Sequence, residues 1–131
     1  MKGAPVLPGG DLEYAVLAVL WHLEAASARQ IHSRVGAPRK LVYTTIATVL
    51  DRLHAKGLVS RERSGKSFIY RARVSRDVTE RARAQAAVER LLGSAPAPAI
   101  ANLVEAVESI DPALLDEMAR AVAARRKSRD G

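Results

Sequence analysis

The chain has 131 residues, with 21 Lys+Arg against 14 Asp+Glu for a net charge of +7, and no cysteine. That length suits one domain or two small ones with a real core. The missing thiols exclude disulfide staples, thiolate metal sites, thiol nucleophiles and redox switches.

The start, Met1-Lys2-Gly3-Ala4-Pro5 and then Pro8-Gly9-Gly10, develops no signal-peptide apolar stretch and reads as a flexible segment over 1–9. Leu12, Val16, Val19, Leu20 and Leu23 then recur on one helical face beside Ala15 and Trp21, which predicts a first helix. Ser27-Ala28-Arg29-Gln30 fits a capping box opening a short second helix with Ile31 and Val35, ending around Gly36-Ala37-Pro38. A third helix carries Val42, Ile46, Val49, Leu50 and Leu53 on one face and runs to about Lys56, with Gly57 placed as a left-handed terminator. The period then changes to two. Strands over Leu58–Arg63 and Ser67–Val74, joined through Ser64-Gly65-Lys66, form a two-stranded hairpin.

Ser75 caps a fourth helix with apolar positions Val78, Ala82, Ala86, Val88 and Leu92, which Gly93-Ser94-Ala95-Pro96-Ala97-Pro98 breaks. A fifth shows Ile100, Leu103, Val104 and Val107. Asp111-Pro112 starts a sixth with Leu115, Met118, Ala119 and Val122, which frays into Arg125-Arg126-Lys127-Ser128-Arg129. No apolar run reaches the roughly 20 residues of a membrane span, so a cytoplasmic chain with no membrane partner is expected.

Three helices followed by a hairpin form a winged helix-turn-helix, so the fold class is mainly α with a small antiparallel hairpin and a helical C-terminal region. Its second and third helices form the helix-turn-helix, which can place the third in a DNA major groove. With the apolar positions committed to the core, Thr44, Thr45, Ala47, Thr48, Asp51 and Arg52 remain on the outer face. Short Thr and Ala side chains suit phosphates, base edges or a thymine methyl, and Arg suits guanine or phosphate. Arg61, Arg63, Lys66, Arg71 and Arg73 stud the hairpin, whose tip with Ser67 is small and polar, so the ribbon can lie along a phosphate backbone or reach a minor groove, and phosphate contacts are expected. Residues 1–75 hold 12 Lys/Arg against 5 Asp/Glu, whereas residues 76–131 hold 9 of each, so the entire excess charge lies with this predicted module. Double-stranded DNA is therefore the expected partner.

The neutral C-terminal helices cannot each bury an apolar stripe alone. Val78, Ala82, Val88, Leu92, Ile100, Leu103, Val104, Val107, Leu115, Met118 and Val122 are expected to dimerise the chain. The expected organisation is a flexible segment over 1–9, a winged helix over 10–75, a dimerisation domain over 76–126 and a basic tail over 127–131. Other chemistry is sparse. His22, His32 and His54 lie on three helices without paired ligand spacing, Asp116-Glu117 point in different directions, and no phosphate-cradling loop or nucleophile elbow occurs. No metal, no cofactor and no enzymatic activity are expected.

The run Val42-Tyr43-Thr44-Thr45-Ile46-Ala47-Thr48-Val49-Leu50-Asp51-Arg52-Leu53-His54-Ala55-Lys56-Gly57-Leu58-Val59, with Glu13, Val16, Leu20-Trp21 and the Ser27 cap before it and Phe68-Ile69-Tyr70 after it, resembles the penicillinase-repressor family (BlaI, MecI and CopY). The likeness is firm over residues 9–75 and thinner to residue 125. It implies a homodimeric repressor whose winged helix occupies a palindromic, two-fold operator. By position, Ala47, Thr48 and Arg52 fall where the family's recognition helix faces DNA, with Thr44 and Thr45 at its N-terminal end. Ala47 stands where a long polar or basic residue is common, a departure that bears on operator sequence. Family members tied to penicillin resistance are cleaved at an Asn-Phe bond in the fifth helix. The nearest match here is Asn102-Leu103, so neither a cleavage site nor an inactivating protease is assigned. The copper-responsive branch uses a C-terminal Cys cluster, which this chain lacks. Two other functions fit the same elements: a small-molecule-responsive regulator, marked by an apolar pocket with convergent polar groups, and a winged-helix protein-interaction adaptor, marked by no steep salt dependence on duplex DNA.

Overall fold

In the computed structural model, which describes residues 6–131, the elements follow the order α1 (Asp11–Leu23), β1 (Ala26–Ser27), α2 (Ala28–Ile31), α3 (Tyr43–Ala55), β2 (Val59–Ser64), β3 (Ser67–Ala72), α4 (Arg76–Leu92), α5 (Pro96–Ile110) and α6 (Pro112–Asp130). Residues 1–5 of the expected flexible segment lie outside the described residues, and 6–10 carry no helix or strand. Two compact units divide the chain, Met1–Ala84 and Gln85–Gly131, and the division falls inside α4.

The first unit closes on most of the apolar positions read from the sequence, with Leu17 added, whereas Leu12, Val19 and Leu23 are only partly buried and Val42, at the extended N-cap of α3 rather than on its buried face, is 64% exposed. Val16, Leu17 and Leu20 of α1 meet Ile31, Val35, and Ile46, Val49, Leu50 and Leu53 of α3, with Leu58, Val59 and Tyr70 closing the base. Each such side chain contributes roughly 1.5–3 kcal/mol by leaving water. Trp21 adds a bond from its indole Nε1–H to the Val74 carbonyl at 2.9 Å, which fastens the exit of the hairpin to α1.

Four local features depart from expectation. The second helix is only one turn of α-helix and continues as a π-helical stretch, His32–Gly36, and a 3-10 turn, Ala37–Arg39. Its capping box is complete: Gln30 N–H donates to Ser27 Oγ at 3.2 Å and Ser27 N–H donates to Gln30 Oε1 at 2.8 Å. The wide turn ends at Gly36, where a Cβ would lie 2.5 Å from His32 Cδ2 and 2.9 Å from Ile46 Cγ1, so only glycine lets this stretch lie so close to α3.

The sheet has three strands rather than two. Ala26 and Ser27 pair antiparallel with Tyr70 and Ile69, in the order β1-β3-β2. Two residues are too short to alternate visibly, so periodicity does not reveal such a strand. The β2–β3 hairpin turns at Gly65-Lys66, with Gly65 at φ 62° in the first turn position that tight hairpins reserve for glycine.

In the second unit the break between α4 and α5 is shorter than expected, because Pro96 occupies the first turn of α5, where its missing N–H is harmless. Asp111 caps α6, accepting from Ala113 N–H at 3.0 Å. α6 continues to Asp130 through the expected basic tail, since no breaker intervenes before Gly131 and Lys and Arg suit a helix C-terminus.

A candidate nucleic-acid interface on α3 and the wing

Burial of Ile46, Val49, Leu50 and Leu53 fixes the rotation of α3 and leaves its opposite side free. Thr44, Thr48 and Asp51, at i, i+4 and i+7, form an exposed stripe on that side, with exposed Arg52 along one flank. Ala47 lies on the other flank, half-buried toward the wing, and Thr45 is half-buried near the start of the helix. The Thr48 hydroxyl donates to the Thr44 carbonyl at 2.9 Å. Its proton is thereby engaged by the helix, and it presents a methyl and acceptor lone pairs outward.

The start of α3 is held by His32, whose Nε2 lies 2.7 Å from the Leu41 carbonyl and whose ring meets Tyr43 edge-on. That is a structural use for the half-buried histidine. The end of α3 is tied to α1. Lys56 Nζ donates to Glu13 Oε1 at 2.7 Å, and Gly9 N–H donates to the same oxygen at 2.8 Å. Burial pushes the Glu13 carboxyl up, but the Lys56 and Gly9 hydrogen bonds and the charges of Lys56 and Arg52 outweigh it and hold the carboxyl below its ordinary value.

Strand register divides the basic wing into two faces. Arg61 pairs with Tyr70 and Arg63 with Phe68, so all four side chains share one face, whereas Ser60 and Arg71 share the other. The guanidinium of Arg61 lies 4.5 Å from the Phe68 ring centroid and that of Arg63 5.1 Å. Arg61 also donates to Asp51 Oδ1 at 3.1 Å, so this residue is spent joining the wing to α3. Arg63, Lys66, Ser67, Arg71 and Arg73 are exposed. Between the start of α2, α3 and the wing lies an open crevice of about 340 Å³, into which Arg29, Tyr43, Ala47, Asp51, Lys66 and Ser67 project. Tyr43 and Arg29 were not singled out from the sequence. Proximity of α2 to the wing, created by the β1–β3 pairing, is what brings Arg29 there.

The sequence profile of the penicillinase repressors matches residues 9–124. The chain belongs to the penicillinase repressor family. This is a family of DNA-binding transcriptional repressors, not of enzymes. Two strains of Mycobacterium tuberculosis, CDC 1551 / Oshkosh and ATCC 25618 / H37Rv, have a transcriptional regulator BlaI that is 45% identical over 62 residues, 47% of this penicillinase-repressor chain and 45% of the regulator. The chain thus matches less than half the length of these curated relatives. Among solved structures, the DNA-binding domain of the repressor BlaI superposes with a TM-score of 0.50 at 24% identity, covering 60% of this chain and 93% of that one. The PcaV transcriptional regulator from Streptomyces coelicolor, solved with its natural ligand, gives 0.50 at 22% identity over 92% of this chain and 79% of its own. Both show the shared winged-helix fold.

In this family member the apolar positions of the second unit are largely uncovered. Val88, Ile100, Val104 and Val122 are exposed, as is Val78 on the first half of α4, while Leu92, Leu103, Val107, Leu115 and Met118 are half-buried. Ala82 is half-buried in the first unit. Leu91, Ile110 and Leu114 are exposed as well, at 56%, 77% and 42%, and escaped the sequence reading because they lie off the expected stripes. On α4, Tyr14 donates to Glu80 Oε1 at 2.7 Å and Arg83 lies 3.7 Å over the Tyr14 ring, so the first half of this helix belongs to the winged unit. No helix among the described residues is long and apolar enough to cross a membrane.

Proposed function

We propose that the chain is a homodimeric transcriptional repressor that works in the cytoplasm by occupying a two-fold operator and excluding polymerase. The observation that carries this is the exposed stripe of α3, Thr44, Thr48 and Asp51 with Arg52 beside it, backed by a buried face that holds the helix rigid and flanked by a wing bearing Arg63 and Lys66. A helix of this size fits a major groove, and the wing supplies cations for the adjacent phosphates. Thr44, Thr45, Ala47, Thr48 and Arg52 are assigned to the groove, and Arg63, Lys66 and Ser67 to the backbone. Arg61 acts from within by anchoring the wing, and Arg71, on the far face of the ribbon, makes at most a peripheral contact.

Dimerisation is assigned to the second unit, which includes the second half of α4. Val104, Leu115, Met118, Ala119, Val122, Ala123 and Arg126 surround an open apolar hollow of about 470 Å³ between α5 and α6. Its walls carry one charged side chain and no convergent polar set, which favours filling by apolar side chains of a second copy over capture of a polar small molecule. Two-fold symmetry then matches a palindromic operator. A salt series of binding to duplex DNA, combined with sedimentation, tests the assignment. A dimer whose DNA affinity falls steeply with salt is expected, and Val122→Glu should give monomers that bind a two-half-site duplex far more weakly. A salt-insensitive interaction would instead favour the protein-interaction adaptor.

A further inference from the structure

We propose, resting on the DNA-binding assignment above, that Asp51 is a specificity-determining residue that accepts a hydrogen bond from the exocyclic amine of a cytosine in the major groove. Asp51 is the only acid on α3, and it stands on the outer stripe at its C-terminal end, one turn beyond Thr48 and two beyond Thr44. Its side chain is 69% exposed. Arg61 engages Oδ1 at 3.1 Å, and Oδ2 has no hydrogen-bond partner among the described residues.

A carboxylate in that position repels every phosphate the helix approaches, so it weakens binding to DNA in general. It is compensated only where the groove offers a donor. In the major groove the donors are the amines of cytosine and adenine, and a carboxylate, which only accepts, suits the cytosine amine, whereas adenine places an acceptor beside its amine. The carboxylate therefore acts in both directions, attracting one base and rejecting the others.

The Arg61 contact makes this reading geometrically definite. Arg61 is held over the Phe68 ring and is only 29% exposed. Its bond to Oδ1 limits rotation of the carboxylate, which a free Asp on a helix surface would otherwise retain. The pair also partly neutralises the charge, which lowers the repulsion from flanking phosphates without supplying the amine that Oδ2 lacks.

The test is selection of bound duplexes from a random pool by the full chain and by Asp51→Asn, Asp51→Ala and Arg61→Ala, each first checked by thermal melting. The unaltered protein should enrich a two-fold site with one cytosine per half-site preferred by about tenfold or more over other bases. Asp51→Asn, which can both donate and accept, should shift that position to adenine. Asp51→Ala should lose preference there alone and bind random duplex more tightly than the unaltered protein. Arg61→Ala should bind all duplexes more weakly and, with the carboxylate freer to rotate, keep a reduced preference for the cytosine. An enriched site that is the same in all the Asp51 variants overturns the assignment of Asp51 while leaving the operator intact. Complete loss of the cytosine preference in Arg61→Ala, equal to that in Asp51→Ala although the carboxylate is still present, shows that Asp51 acts only by anchoring the wing, and overturns it too. No shared site from the unaltered protein overturns the operator reading and this one together.

Discussion

The bond between α1 and α3 offers the sharpest stability test, because Glu13 and Lys56 are unequally placed. The Glu13 side chain is 5% exposed and that of Lys56 33%. Glu13→Gln keeps an acceptor for Gly9 N–H and removes the charge, while Lys56 can turn toward water. The loss is that of one charge-assisted bond, about 1–2 kcal/mol. Lys56→Met is the harsher change. It leaves a buried carboxylate with only the Gly9 N–H at 2.8 Å, and stranding a charge in this way costs about 3 kcal/mol at neutral pH. A simple count of lost bonds, one in each variant, would make the two changes equal. The pH dependence follows with its sign. In the unaltered protein the folded carboxyl lies below its ordinary value, so its stabilisation is complete above the usual carboxylate range and is lost as the pH falls through the folded value. In Lys56→Met the hydrogen bond and the charge of Lys56 no longer oppose burial, so the folded carboxyl rises from its lowered value, and acidification through the carboxylate range should shrink the deficit relative to the unaltered protein. Urea unfolding followed by the fluorescence of Trp21, the single tryptophan, at several pH values measures both effects. The reasoning fails if Lys56→Met costs less than Glu13→Gln at neutral pH, or if its deficit does not shrink on acidification.

Arg52→Ala should cost roughly 1–3 kcal/mol on a selected operator and relax preference at one position, whereas Lys66→Ala should weaken selected and random duplexes alike and flatten the salt dependence by about one phosphate. Arg71→Ala should do less than Lys66→Ala on both duplexes, because its strand position faces away from α3; equal losses in a gel-shift series would contradict the two-faced wing. A chain ending at Ala84 should be a folded monomer that melts above one ending at Arg76, since only the longer keeps the Tyr14–Glu80 bond and the buried Thr79. Differential scanning calorimetry with sedimentation checks both halves of that statement, and a stable dimer of the Ala84 chain would move the interface into the winged unit.

Much of the architecture is local enough to be written in the chain. The 3.6-residue spacing of Val16, Leu20, Ile46, Val49 and Leu53 orients two helices, the period-2 run Phe68–Val74 marks a strand, and Ser27, Ser75, Asp111 and Pro112 act on backbone groups within four residues of themselves. The outer face of α3 follows from the same periodicity, because whatever the core does not take must lie outside.

Features that depend on distant residues were decided by the fold. β1 exists only because β3 passes beside Ala26, and the compressed turn at Gly36 exists only because Ile46 lies against it. Arg61 and Arg71 are alike as letters. Register turns one toward Asp51 and Phe68 and the other away, since a strand sends alternate side chains to opposite faces and only the partner strand and α3 give those faces different surroundings. The Tyr14–Glu80 and Glu13–Lys56 contacts span 66 and 43 residues, separations over which no periodicity carries information, and packing of the helices alone brings these side chains within hydrogen-bond reach.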